Sequence, residues 1–340
     1  MNEQLKYNYV IFFIEEYYRV MFGDVKLNKQ AFYVDLRELS KILKKFAFNS
    51  KLPLFIRCIF FRLLLINLFR YIKNTTDKTI DKSKPFCFVM DRRFLGLLND
   101  GFYNTVKKSM PKSEIVVLFT DLIRHEKKLE QIITNLDKEK CVDLVYSFDP
   151  VEAEKYGVRF SNIPASDFSA RFKEEEEWDV VFLGRKKDRI DTIIQVWNNL
   201  SSRGLRTAFF LLDVSKEEQS SYPSGINFID WISYDEYLRI ESKSKVVLEI
   251  IQSGSSGNTL RVNEAIVLGK KLLTNNPHLN NNILFDPNKM FVFDDPADIP
   301  DEFFSEDTRT YSDDIKKAMS LQTFLERIDN DIYMSELENK

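Results

Sequence analysis

The segment Glu249-Ile-Ile-Gln-Ser-Gly254-Ser-Ser-Gly257-Asn258-Thr259-Leu260-Arg261-Val-Asn-Glu264 concentrates more usable chemistry than any other stretch of the chain. An apolar run gives way to a turn of small residues, and a helical pattern then opens with an arginine and, one turn on, a glutamate. The first N–H groups of a helix lack intrahelical partners and lie at the positive end of its dipole, so such a start attracts phosphate. Glycines let a ligand approach the backbone. Thr259 adds a hydroxyl donor, Arg261 a forked cation matched to a diphosphate, and Glu264 an acceptor for ribose hydroxyls. The spacing is neither Gly-x-Gly-x-x-Gly nor Gly-x-x-x-x-Gly-Lys-Ser/Thr, which withdraws the usual grounds for hydride transfer or ATP hydrolysis. The competing reading is an ordinary glycine-containing turn with a surface arginine.

A second cluster is Gly184-Arg185-Lys186-Lys187-Asp188-Arg189, four basic residues in five positions after an apolar run. It stands where open α/β sheets bind ligands, at the carboxyl end of a strand; the bland alternative is a solvated helix start. Trp231-Ile232 precedes Ser233-Tyr-Asp-Glu236, a capping-box pattern. Loop backbone there can hydrogen-bond a nucleobase, and Trp231 reads equally as a core residue. Candidate catalytic bases are Asp91, Asp121, Glu15 and Glu16 at strand ends of the first half, each also explicable as a helix cap. His125 is expected at the surface. Asp329-Asn-Asp331 follows a helix rather than a strand, so no metal role is expected of it.

These residues need a scaffold, and the pattern of the chain supplies an α/β one. Apolar runs at 7–13, 86–90, 115–119, 144–148, 178–183, 206–212, 226–229, 245–251 and 271–274 alternate with helical spacing. Asp149-Pro150-Val-Glu152 with Gly157 beyond marks a strand-to-helix junction. The 340 residues suit two domains, with 44% hydrophobic residues enough for two cores. The charged run Arg171–Glu177 sets the expected boundary, giving domains 1–170 and 171–314 followed by a helix and tail at 315–340.

Composition removes several functions. A net charge of −3 lacks the overall signature of a nucleic-acid binder. Cys58, Cys87 and Cys141 are too scattered for a disulfide framework, and neither His125 nor His278 lies near a cysteine, which disfavours zinc. No secretory leader pattern opens the sequence, so a cytoplasmic setting is expected. Charge is nonetheless uneven: residues 41–84 hold eleven basic and two acidic residues, +9 in all. Within them, residues 53–73 alternate Phe, Leu and Ile with Arg62, Arg70 and Lys73 at helical spacing. A helix of that kind either lies on an anionic membrane surface or packs its apolar face inside the first domain, and both hold if burial is partial. Arg57 breaks the pattern.

The series Val-Phe-Leu-Gly184-x-x-Lys187-x-Arg189, Ile232-Ser-Tyr-Asp-Glu-Tyr237, Gly257-Asn-Thr-Leu-Arg261-x-x-Glu264-Ala and Lys270-Lys-Leu-Leu-Thr-Asn-Asn276 resembles bacterial lipopolysaccharide and capsular-polysaccharide glycosyltransferases of the GT-B type. Asp143–Asp149 and Tyr156-Gly157 extend the resemblance to roughly residues 85–300. It implies two Rossmann-like domains facing a cleft, with a nucleotide-sugar (UDP by family habit) in the second and the acceptor in the first; separately, helical spacing over 315–328 gives a C-terminal helix expected to cross back to the first domain. Transfer to a surface glycan or lipid-linked acceptor would need no metal. On that carry-over Lys187, Arg189, Thr259 and Arg261 hold the diphosphate, the Ile232 backbone the base and Glu264 the ribose, with Gly184, Trp231, Gly257, Asn258 and Leu260 completing the nucleotide-sugar site. Asp121 matches a family aspartate, although Thr120 stands where Trp is frequent; Asp91 is the second candidate base. An inverting transferase needs such a base, whereas a retaining one leans on stabilising the departing diphosphate. A nucleotide-sugar epimerase and a non-catalytic assembly partner share this shape.

Overall fold

Apolar runs alternating with amphipathic helices build two parallel six-stranded sheets. A computed structural model describes residues 5–13, 17–34, 39–47, 51–91, 100–125, 127–134, 141–305 and 310–338. Glu15 and Glu16 lie outside the described residues. Two compact units are present, residues 1–164 with 321–340, and residues 165–320. The first therefore closes at Pro164, a few residues ahead of the charged run.

In the first unit the strands are β1 (Asn8–Phe12), β2 (Ala31–Val34), β3 (Phe86–Asp91), β4 (Glu114–Phe119), β5 (Leu144–Ser147) and β6 (Arg159–Phe160), in the order β2-β1-β3-β4-β5-β6. Its helices are α1 (Tyr17–Met21), α2 (Lys41–Ala47), α3 (Leu54–Thr75), α4 (Asp100–Ser109), α5 (Lys127–Thr134) and α6 (Pro150–Tyr156). Strand side chains alternate between faces. Val10, Phe12, Phe88, Met90, Ile115 and Val117 share one core cluster with Phe61, Leu64, Leu65, Leu68 and Ile72 of α3. Tyr9, Ile11, Val89, Val116, Leu118 and Tyr146 share the other with a helix from the chain end. The apolar face of α3 is thus packed inward, and burial of each such Leu or Phe contributes roughly 1.5–3 kcal/mol. Arg57 is buried with this face, its Nε and Nη1 unpartnered among the described residues. The Asp149 junction forms as the sequence indicates: Asp149 accepts from the Glu152 amide, Pro150 opens α6, and Gly157 ends it at φ 63°.

The second unit holds β7 (Trp178–Arg185), β8 (Thr207–Leu212), β9 (Ile226–Phe228), β10 (Ser244–Glu249), β11 (Lys271–Thr274) and β12 (Met290–Val292), ordered β12-β11-β10-β7-β8-β9. Its helices are α7 (Ile190–Ser202), α8 (Lys216–Gln219), α9 (Tyr234–Ser242), α10 (Leu260–Leu268) and α11 (Asp313–Ala318). Chain direction across the sheet reverses between β7 and β10, and that crevice at the carboxyl ends is where doubly wound sheets take ligands. The corresponding reversal in the first unit lies between β1 and β3.

The single helix expected within residues 315–340 is two. α11 ends at Ala318, the Met319 carbonyl accepts from the Ala165 amide at 2.8 Å, and α12 (Leu321–Glu338) belongs to the first unit. Leu321, Phe324, Leu325, Ile328 and Ile332 of α12 sit in the second core cluster of that unit. Asp329 and Asp331 pin it there. Asp329 accepts from Tyr9 Oη at 2.6 Å and from the Lys6 amide at 2.7 Å; Asp331 accepts from Tyr146 Oη at 2.6 Å and Arg159 Nη1 at 3.2 Å.

Candidate active site

The turn after β7 and the turn after β10 flank the reversal point of the second sheet, and side chains stitch them together. Arg189 Nη1 donates to the Ile250 carbonyl, and Asp188 accepts from the Ser253 amide at 3.2 Å. Arg261 Nη2 donates to the Leu183 carbonyl at 2.5 Å. The two guanidiniums converge. A Cβ on Gly184 would stand 3.2 Å from Arg189 Nη2 and 3.5 Å from Arg261 Nη2. Neither has a carboxylate within ion-pair distance among the described residues, and their partners are the carbonyls just given, that of Arg185, and ring faces. Arg261 lies 5.1 Å over Tyr237 and Arg189 5.7 Å over Phe182.

Two cations side by side repel unless something anionic joins them. Burial, and then Arg261 beside it, pushes Arg189 down to about 10. Burial also works against Arg261, but Tyr237, Glu264, Glu241 and Glu249 outweigh it and lift its pKa. Both remain charged at neutral pH, half-buried at the mouth of a strand crevice. Such an arrangement can receive an anion, and the absence of a side chain at Gly184 leaves room beside both guanidiniums. Gly184→Ala should displace the Arg189 tip by a few tenths of an ångström, leave the Arg261 tip in ordinary contact, and weaken nucleotide-diphosphate binding several-fold while the unit stays folded. Unchanged affinity by calorimetry would show that the arginine tips do not receive the diphosphate.

The other basic residues of the β7 turn divide in unexpected ways. Arg185 pairs with Asp213 at 3.0 Å and Lys186 with Glu218, so the cluster of four is partly neutralised. Lys187 is exposed with φ at +43°, a left-handed conformation that costs a non-glycine residue about 1 kcal/mol and gathers at functional turns.

Thr259 does not offer its hydroxyl as expected. As N-cap of α10 it accepts from the Arg261 amide at 3.3 Å, and it donates to Glu249 Oε1 at 2.5 Å. The Thr259 amide also donates to Glu249 at 3.1 Å. Glu249, 1% exposed, takes Thr274 Oγ1 at 2.6 Å on its second oxygen. The Leu260 amide, by contrast, has no partner among the described residues. Gly257 and Asn258 are buried, and the carbonyls of Ser256 and Gly257 accept from Asn276 Nδ2 at 3.4 and 3.3 Å. The turn is held from behind by Glu249 and Asn276, two residues to which the sequence reading gave no role. A carboxylate closing an otherwise apolar strand was the signal available for Glu249.

Glu264 is also corrected. It is 1% exposed, and its Oε1 accepts from Tyr234 Oη at 2.8 Å rather than standing open to a ribose. Its neighbour is Glu241 of α9, whose Oε1 accepts from Tyr237 Oη at 2.6 Å. The second oxygens of both carboxyls have no partner if both are ionised, yet the two groups lie in hydrogen-bond contact. One proton between them satisfies both. Burial, then the neighbouring charge of Glu264, raises Glu241 well above 4.5, and burial raises Glu264 although Arg261 opposes it. Glu241 raised in this way stabilises the fold fully below 4.5 and loses that contribution as pH climbs through its folded value. Glu241→Gln supplies a donor that never titrates. Its melting temperature should therefore exceed that of the wild type at pH 8, with the gap closing towards pH 5; a pH-independent gap would refute proton sharing.

Trp231, 73% exposed, is not a core residue; with Ile232 it forms the loop after β9, at the same carboxyl edge of the sheet. Ser233 caps α9 by accepting from the Glu236 amide at 3.2 Å. In the first unit Asp91 ends β3 and is buried at 2% exposure. Asp121 follows β4 with a side chain 42% exposed, accepting from the Leu122 amide at 2.9 Å, with His125 Nδ1 at 3.6 Å.

The chain is a doubly wound α/β protein whose second unit brings two arginines together at its strand crossover. No family model matches the chain, and neither does any curated protein. Among solved structures it is similar to Anabaena HepE in complex with UDP and glucose, at 11% identity and a TM-score of 0.47, over 98% of this chain and 100% of that one. It is also similar to an α-glucosyltransferase in complex with UDP-glucose and DNA containing an abasic site, at 9% identity and 0.48, over 97% and 93%. The phage T4 β-glucosyltransferase with UDP-glucose follows at 14% and 0.44, over 96% and 94%.

Proposed function

We propose that this chain is a GT-B glycosyltransferase that moves a sugar from a nucleoside-diphosphate donor, UDP-linked by preference, to a bacterial surface glycan or lipid-linked acceptor. The observation that carries the reading is the convergence of Arg189 and Arg261 on Gly184 at the reversal point of the second sheet, with no carboxylate in direct contact with either among the described residues. A pyrophosphate fits that need. Its two negative groups replace the repulsion between guanidiniums with charge-assisted hydrogen bonds, and the Leu260 amide adds a donor at the helix start. The seat holds the diphosphate before and after the glycosidic bond breaks, and the charge that grows on the leaving oxygen strengthens it. Trp231 and the Ile232 backbone, at the same edge of the sheet, are the surface for the base. Asp121 is the better of the two candidate bases, because its carboxylate reaches solvent and that of Asp91 does not.

Two fixed cations supply the neutralisation that a divalent ion provides elsewhere, so we expect turnover to survive chelators. Calorimetry with UDP, GDP and CMP tests the donor seat, and release of nucleotide from UDP-sugars with and without a glycan acceptor tests the transfer. Conversion of donor alone to its epimer would replace this reading with the epimerase one. Failure of every nucleotide to bind would leave only an assembly role.

A further inference from the structure

The helix α3 carries two apolar stripes, and only one is used by the core. Phe61, Leu64, Leu65, Leu68 and Ile72 face inward. On the other side Phe55, Ile59, Leu63 and Ile66 are 67%, 54%, 44% and 55% exposed, and Ile42 of the adjoining α2 is 67% exposed. Steps of four, four and three residues keep Phe55 to Ile66 on one line along a helix about 33 Å long. Beside that line Arg62, Arg70 and Lys73 are exposed and form no ion pair among the described residues. At the carboxyl end of α3 an open groove of about 430 Å³ is lined by Phe69, Ile80, Phe86, Lys73 and Lys82.

We infer that this face docks the protein on an anionic lipid bilayer, with α3 lying in the plane of the interface, the Phe55–Ile66 line entering the acyl boundary and the flanking cations meeting lipid phosphates. The inference does not depend on the donor seat, which lies in the other unit. Three features favour a bilayer over other occupants. Residues 41–84 carry +9, and although Arg57 is buried and Lys78 and Lys84 are held by backbone carbonyls, the exposed Arg62, Arg70 and Lys73 beside the apolar line answer an anionic surface. Neither α2 nor α3 contains an acidic residue, so a second copy meeting the first through this face would set like charges together. A nucleic acid would pair with the cations but leave the Phe and Ile line in water. No helix among the described residues is long and apolar enough to cross a membrane, so the contact is an adsorbed one.

The test is sedimentation of the full chain with phosphatidylglycerol-containing vesicles and with pure phosphatidylcholine vesicles. Binding is expected to the anionic vesicles alone and to fall at least tenfold at about 1 M salt, where the Debye length is about 3 Å. Two variants separate the contributions: Phe55→Ser with Ile59→Ser and Ile66→Ser, and Arg62→Glu with Arg70→Glu and Lys73→Glu. Each alters only exposed side chains, so melting temperature and UDP affinity should hold while partition drops about tenfold or more. Equal recovery with neutral and anionic vesicles, or wild-type partition by both variants, would overturn the inference. So would a concentration-dependent dimer that the serine variant abolishes and that binds no vesicles.

Discussion

Arg261→Ala is expected to weaken UDP binding roughly 10- to 150-fold, the loss of a charged hydrogen bond worth about 1.5–3 kcal/mol. The same change removes the donor to the Leu183 carbonyl and the cation that offsets the Glu264–Glu241 pair. Stability should therefore fall as well, and the pH dependence of that fall separates the two effects. Without Arg261 the folded-state pKa of Glu264 rises further above 4.5, so the pair takes up a second proton as pH drops. The stability deficit relative to wild type should be largest near pH 8 and shrink towards pH 5. Weakened UDP binding should persist at any pH where the variant is folded. A folded variant that binds UDP with undiminished affinity would remove the donor seat.

Glu249→Ala should be the most damaging single change to the fold of the second unit, costing about 2–4 kcal/mol. Its carboxylate accepts from the Thr259 amide, Thr259 Oγ1 and Thr274 Oγ1, all within or beside a buried turn. Truncation leaves the Thr259 amide without its acceptor and takes a negative charge away from both arginines, and each loss is of the kind that drives large effects. The chain's three tryptophans, Trp178, Trp197 and Trp231, all lie in the second unit, so urea unfolding followed by their fluorescence isolates that unit. Glu249→Gln keeps an acceptor and should recover part of the loss. An alanine variant as stable as the wild type would mean that the turn is held by other contacts.

Architecture was legible where the pattern was long. Strands such as Phe86–Asp91 and Glu114–Phe119 are buried on both faces, so they read as uninterrupted apolar runs. The strands at Ala31–Val34, Arg159–Phe160 and Met290–Val292 went unread because they are short and lie at sheet edges, where two to four residues carry no period. At the site, the sequence located the two turns but misjudged what their side chains do. Thr259 and Glu264 look like ligand contacts in a linear motif, and in three dimensions they are spent on Glu249 and Tyr234. Arg185 and Lys186 look like a positive patch, and partners distant in sequence neutralise them. Residue spacing alone could not bring Arg189 to Arg261, since their convergence depends on two turns 65 or more residues apart meeting across adjacent strands; only the family resemblance set both on one diphosphate.

The position of α12 sets an order of events during synthesis. Residues 165–320 are completed before the helix that covers one face of the first sheet has left the ribosome. Tyr9, Val89, Val116 and Tyr146 on that face, packed with Tyr18 and Phe22, consequently lack the α12 side of their cluster while the second unit emerges. The half translated first is the half completed last, and a nascent chain arrested before Leu321 would present this partly covered face to chaperones and proteases.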